Sequence, residues 1–247
     1  VINMNWMFYE ATSFNGDISN WDVSNVTGMN GMFYEATSFN QDIGNWDVSN
    51  VINMGYMFYY TSPNLFNQDI GGWNVSKVAT MAGMFYGTTV FDQDIGGWDV
   101  SNITNMNYMF DKATSFNGDI SNWDVSKVNR MDDMFLGIAL STENYDALLK
   151  EWSNLTLQNG VTFNGGLSNF CNSETEKQKI IDNFGWTITD GGKDCTSLGV
   201  DDELLTEGLK LYPNPVADVL TVDSKLPLSK VEIYSILGQK EKEINAG

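Results

Sequence analysis

The chain has 247 residues, 42% of them hydrophobic, enough for a packed core and too apolar for a disordered polymer. Its 32 acids against 13 bases leave a formal net charge of −19, which argues against nucleic acid and anionic membrane as partners, since both call for a basic surface. No run approaches the ~18 apolar residues of a membrane span, and without histidine the commonest general base and transition-metal ligand are missing.

Val1-Ile2-Asn3-Met4 already belongs to a repeat. No basic segment followed by an apolar stretch opens the chain, so a leader peptide is expected upstream. Five units align: 1–25, 26–50, 51–77 with two extra residues around Pro63-Asn64, 78–102 and 103–127. A sixth begins at Val128 and leaves the pattern near Leu140. Apolar columns recur at Ile18/Ile43/Ile70/Ile95/Ile120, Trp21/Trp46/Trp73/Trp98/Trp123, Val23/Val48/Val75/Val100/Val125 and Val26/Val51/Val78/Ile103/Val128. They recur also at Met4/Met29/Met54/Met81/Met106/Met131, at the Met-Phe pair such as Met32-Phe33, and at Phe14/Phe39/Phe66/Phe91/Phe116.

Trp-Asp-Val-Ser alternates apolar and polar, which predicts a strand with one buried face. Met-x-x-Met-Phe has the i, i+3, i+4 spacing of one short helical turn. A single unit is too small to close a core. Stacking the units would bury the columns against one another. The expected fold is therefore a repeat solenoid, leucine-rich-repeat-like, coiling right-handed, with a parallel β-sheet and short helical turns; a β-helix with helical corners is the alternative.

The run Asp17-Ile18-Ser19-Asn20-Trp21-Asp22-Val23-Ser24-Asn25-Val26-Thr27, continued by Met29 and Met32-Phe33, resembles the unit of the BspA-like leucine-rich-repeat surface proteins, first catalogued as a mycoplasma-type domain of unknown function. The likeness covers residues 1–139. It implies surface display with adhesion or partner binding, and no particular catalytic residue or ligand.

Beyond the repeats, Ser141 to Trp152 reads as a helix with Tyr145, Leu148, Leu149 and Trp152 on one face. Ser173-Glu174-Thr175-Glu176 reads as a capping box opening a second helix that stops near Gly185. Trp186-Thr187-Ile188-Thr189 reads as a strand. Residues 140–195 are thus expected to form an α/β cap over the last apolar layer, like the segment that closes such arrays in secreted Bacteroidetes proteins. Cys171 and Cys195 fit a disulfide in an exported protein, with two buried free thiols as the alternative.

The acidic stretch 196–208 reads as a linker. Residues 209–247 contain Tyr212-Pro213-Asn214-Pro215 and Ile236-Leu237-Gly238-Gln239. This pair closely resembles the C-terminal sorting domain of type IX secretion substrates, which implies a small C-terminal antiparallel β domain, here incomplete, read by the export machinery. It also implies an extracellular or outer-membrane-surface location in a Gram-negative bacterium. Alternation at Val219-Leu220-Thr221-Val222 and Val231-Glu232-Ile233-Tyr234 supports strands.

Three sets of candidate site residues stand out. Asp17, Asp42, Asp69, Asp94 and Asp119 form one acidic column; calcium between stacked carboxylates is one role, and turn capping through backbone N–H groups the competing one. Asp22, Asp47, Asn74, Asp99 and Asp124 form a second column, expected to face outward. Tyr9, Tyr34, Tyr59 and Tyr86 form an aromatic column that breaks at Asp111, and Trp6, Tyr56 and Tyr108 occupy another with Gly31 and Gly83 between. Exposed rings would stack on sugars or partner side chains, while buried ones would only pack. Carboxylates repeated at equal spacing do not make the singular pair a hydrolase needs, so no enzyme and no cofactor other than possible calcium is expected. The reading is a secreted or cell-surface protein binding a glycan, matrix or protein partner, or else a structural filament or surface-layer component with self-assembly; no nucleic acid and no membrane insertion are expected.

Overall fold

A computed structural model of the chain describes residues 1–60 and 65–196, and the backbone of four strands between 209 and 245. Two compact units are present, Val1–Asp194 and Cys195–Gly247. The Pro63-Asn64 insertion, and the expected linker apart from Thr196, lie outside the described residues.

In the first unit successive repeats hydrogen-bond in register through a parallel ladder, Asn3 to Gly28, Asn53, Thr80, Asn105 and Arg130. The ladder does not run where the alternation placed it. It runs through the Asn-Met-x-x-Met-Phe segment: the N–H groups of Met4, Trp6, Phe8 and Glu10 donate to the carbonyls of Gly28, Asn30, Met32 and Tyr34 at 2.8–2.9 Å. Left-handed backbone at Trp6 (φ 58°) and Glu10 (φ 54°) accompanies this one-way orientation of donors, so the segment is neither helix nor ordinary strand. Trp-Asp-Val-Ser, expected as strand, is two consecutive turns, closed by Trp21 N–H to Ile18 O (3.0 Å) and Val26 N–H to Val23 O (2.8 Å).

The apolar columns are buried as expected, except in the first repeat, where Trp21 is 39% exposed and Phe14 only partly buried. Met29, Ile43, Val51, Ile70, Val78, Ile95, Met106 and Val128 are fully enclosed. Phe33, Phe58, Phe85, Phe110 and Phe135 pile up at 5.6–5.8 Å. Each inner tryptophan donates its indole N–H to the isoleucine carbonyl of the preceding repeat: Trp46 to Ile18 (3.1 Å), Trp73 to Ile43 (3.0 Å), Trp98 to Ile70 (3.2 Å) and Trp123 to Ile95 (3.2 Å). A buried carbonyl needs a donor, and the indole supplies one together with a large ring. A side-chain ladder adds to this. The side-chain oxygens of Asn15, Asn40, Asn67, Asp92 and Asn117 accept the backbone N–H of Asn40, Asn67, Asp92, Asn117 and Ser141 respectively at 2.7–3.2 Å.

The ladder continues past Leu140. Met131 pairs with Phe163, and β1 (Thr162–Asn164) pairs in parallel with β3 (Thr187–Thr189). The segment expected as a separate cap thus adds two more rungs, with α1 (Thr142–Trp152) and α2 (Glu174–Phe184) leading into them. α1 starts on Ser141, whose hydroxyl accepts the Asn144 N–H (3.3 Å), and buries Tyr145, Leu148, Leu149 and Trp152. α2 ends on Gly185 with φ 65°, a conformation that favours glycine. Its expected capping box is absent: Ser173 caps nothing with its side chain. The Asp146 carboxylate, reaching over from α1, accepts the N–H groups of Cys171, Asn172 and Ser173 (3.0–3.1 Å) and the Ser173 hydroxyl. Short β2 (Asn169–Phe170) pairs in parallel with β4 (Gly192–Lys193). Asp190, its side chain 3% exposed, takes the Tyr145 hydroxyl (2.8 Å) and the Lys177 ammonium (2.7 Å), so its buried negative charge is paired. Cys171 and Cys195 form a disulfide.

In the second unit β5 (Leu209–Tyr212) pairs antiparallel with β6 (Thr221–Ser224), and β7 (Lys230–Tyr234) with β8 (Lys240–Asn245).

Candidate functional site

The two acidic columns are exposed, and each residue closes its own turn. Asp17, Asp42, Asp69, Asp94 and Asp119 accept the backbone N–H two positions on, at 2.9–3.0 Å. Asp22, Asp47, Asn74, Asp99 and Asp124 do the same at 3.0–3.2 Å. Such side-chain turns are what Asp and Asn favour locally. The Ser19, Ser24, Ser49 and Ser101 hydroxyls, followed by their own N–H groups, hold the carboxyls of Asp17, Asp22, Asp47 and Asp99 below the usual carboxylate range. The turns approach closely: a Cβ on Gly44, Gly71 or Gly96 would overlap the carbonyl oxygen of Asp69, Asp94 or Asp119 in the next repeat. No group of three acids or thiols able to hold a metal ion occurs among the described residues. Calcium therefore gains no support from the Asp17 column, and turn closure accounts for both columns.

The tyrosine column is brought together. Tyr9, Tyr34, Tyr59 and Tyr86 stack with centroids 5.1, 4.5 and 4.3 Å apart, the inner pair within 2° of parallel. Tyr9 is 47% exposed, and the others are half-buried. The rings use their faces on one another, so a partner meets their edges and hydroxyls. Those hydroxyls lie in a row, and the Lys112 ammonium donates to the Tyr86 hydroxyl (2.6 Å) while lying 4.8 Å from its ring centroid. Lys112 closes the stack where Asp111 interrupts the column. Asp111 itself is buried, one carboxylate oxygen has no partner, and burial pushes its carboxyl up.

The acids beside the rings are Glu10 and Glu35, not the aspartate columns. The Glu10 hydrogen bond pushes the Tyr9 phenol up to about 12. Burial, then Glu35, raises Tyr34, and burial raises Tyr59 further. Glu10, Glu35 and Lys112 escaped the sequence reading, although Tyr-Glu recurs at 9–10 and 34–35. Trp6, 45% exposed, packs against Tyr9 (5.6 Å) and Tyr34 (5.7 Å), and Tyr56 packs against Tyr59 (5.9 Å). Together these rings make one half-exposed aromatic surface along the ladder segments of four repeats.

A recess of about 470 Å³ lies beside α1 and α2, lined by Ser121, Asp146, Lys150, Glu151, Ser173 and Glu176 among others. It contains no histidine or cysteine, and Asp146 is occupied by the Cys171, Asn172 and Ser173 N–H groups ahead of α2, so it assembles no evident proton-transfer pair. Among the described residues no helix is long and apolar enough to cross a membrane.

No curated protein and no solved structure matches the chain. Residues 210–246 match the secretion system C-terminal sorting domain, so the protein carries a tail for the type IX secretion machinery and is secreted or displayed at the cell surface. Residues 1–64 and 60–177 match a second family, and over that span, well above half its length, the chain belongs to the family described as Mycoplasma protein of unknown function, DUF285.

Proposed function

We propose that this is a non-catalytic adhesion or binding protein, a leucine-rich-repeat-like solenoid that engages a surface glycan, matrix component or protein partner outside a Gram-negative cell. The observation that carries the reading is the aromatic surface running across successive repeats. Exposed rings aligned on a rigid, hydrogen-bonded scaffold contribute contact area at small entropic cost, and repetition multiplies weak contacts. The aspartate columns add acidic, solvated flanks that favour uncharged or cationic partners.

The test is binding of the immobilised full chain to glycan and matrix-protein arrays, compared with a Tyr34→Ser, Tyr59→Ser variant. The expected result is a partner captured by the parent and weakened in the variant. A chain that captures nothing, or a variant that binds like the parent, overturns the reading.

A further inference from the structure

Three of the exposed rings do not belong to the tyrosine stack. Trp6, Tyr56 and Tyr108 occupy one column in every second repeat, each with left-handed backbone (φ 58°, 55° and 58°). Gly31 and Gly83 hold the intervening places in the same conformation (φ 58° and 59°). A side chain at Gly31 would overlap the Trp6 indole, and a Cβ at Gly83 would stand 2.7 Å from Tyr56 Cδ1. The ring of one repeat thus lies over the bare backbone of the next.

The rings are also turned. Trp6 stands at 77° to Tyr9 and 60° to Tyr34, and Tyr56 at 64° to Tyr59. The tyrosine stack piles its planes along the direction in which repeats succeed one another. Trp6 and Tyr56, turned this far from those planes, stand outside the stack and lie against the backbone of Gly31 and Gly83. Trp6 is 45% and Tyr108 38% exposed, and Tyr56 is half-buried.

At the ladder spacing of ~4.8 Å per repeat, successive rings of this column lie about 10 Å apart, the length of two β-1,4-linked pyranose units in an extended chain. Such a chain turns the same sugar face to the same side at every second unit. A ring in every second repeat, with glycine between, meets that alternation: alternate sugars find an aromatic face, and the sugars between them find open backbone. Glu10 and Glu35 beside Trp6 and Tyr9, within a chain of net charge −19, would repel uronic or sulfated polymers.

We propose that Trp6, Tyr56 and Tyr108 form a stacking platform for a neutral, extended β-1,4-linked polysaccharide. The proposal rests on the binding function above and names its ligand class. Pyranose rings stack through their C–H faces, the apolar side of an otherwise polar unit, so the platform selects for linkage geometry more than for the identity of one substituent. A backbone of glucose, mannose or N-acetylglucosamine meets it with the same chemistry, and the hydroxyl row of Tyr34, Tyr59 and Tyr86 borders it.

The full chain is titrated calorimetrically with cellohexaose, mannohexaose and chitohexaose, which separates the three sources. Maltohexaose, whose α-1,4 linkage coils, and the corresponding β-1,4 disaccharides serve as comparisons. At least one β-1,4 hexasaccharide should bind, its disaccharide much more weakly, and maltohexaose not at all. Tyr56→Ala should weaken binding roughly threefold to tenfold, and Trp6→Ala likewise, with unchanged melting transitions showing that the array is intact. Equal binding of maltohexaose, or a Tyr56→Ala variant that binds like the parent, overturns the platform. If no hexasaccharide binds while the array experiment above still finds a ring-dependent protein partner, the platform is refuted and the adhesion reading stands.

Discussion

Replacing Phe85 by alanine probes how the repeats hold together. Phe85 is fully enclosed and lies among Phe58 (5.8 Å), Phe91 (4.1 Å), Phe110 (5.6 Å) and Trp98 (6.4 Å). A buried aromatic ring removes roughly 150–250 Å² from water, or about 4–6 kcal/mol at ~25 cal/mol per Å². Measured Phe→Ala costs in cores, cavity included, run about 3–5 kcal/mol, so a loss of about 4 kcal/mol is expected. That is a large part of a typical domain's ~5–15 kcal/mol. Phe58 and Phe110 have the same kind of neighbours in adjacent repeats, and nearest-neighbour stacking predicts nearly equal costs for them. Phe8 is only partly buried, though it stacks on Phe14 (3.9 Å) and Phe33 (5.5 Å); its replacement should cost about half as much. Urea denaturation followed by tryptophan fluorescence measures all four. A Phe85→Ala cost under about 1 kcal/mol, or a Phe8→Ala cost equal to it, would refute the stacked-core argument.

Asp146→Ala removes the carboxylate that holds the turn leading into α2 and strands three N–H groups; a loss of about 1–3 kcal/mol is expected in thermal melts, with faster amide exchange confined to Cys171, Asn172 and Ser173. The carboxyls of Asp17, Asp22, Asp47 and Asp99 lie below the usual range in the folded protein. Their contribution is therefore present above the unfolded value, about 3.9, and is lost as the pH falls through the folded ones. Acid titration by NMR should show these four protonating below that value, with stability falling over the same window. Reducing the Cys171–Cys195 disulfide should cost about 3–4 kcal/mol by loop entropy, seen as a lower melting temperature together with two newly titratable thiols.

The repeat period, the buried columns and the inward face of α1 were legible because burial depends on residue type and spacing, and both recur unit after unit. The strand at Trp-Asp-Val-Ser was misplaced for a physical reason. Alternation reports which side chains face inward, and two consecutive turns put Trp46 and Val48, two positions apart, inward as a strand would. The Met-x-x-Met-Phe segment was taken for a helical turn because its 3–4 spacing is also what a chain with left-handed residues at 6 and 10 produces. The capping box at Ser173 failed because a carboxylate distant in sequence, Asp146, took the Ser173 N–H that Glu176 would have accepted, and the Ser173 hydroxyl as well. Turn capping was open to the sequence as one of two roles for the Asp17 column, whereas the Asp22 column was expected only to face outward. The structure favours turn capping in both, since each oxygen finds an N–H two residues away before any metal is needed.

The sequence by itself determined the repeat unit, the apolar layers, the family and the export tail, because each of these is written in residue types at fixed intervals. Only the tertiary structure decided which backbone segment carries the ladder, that the ladder runs on through β1 and β3, and that the tyrosine rings spend their faces on one another while Trp6 and Tyr56 turn out of that stack. Hydrogen-bond direction and ring orientation depend on φ, ψ and χ angles set by neighbours 25 residues away, and no local pattern encodes them.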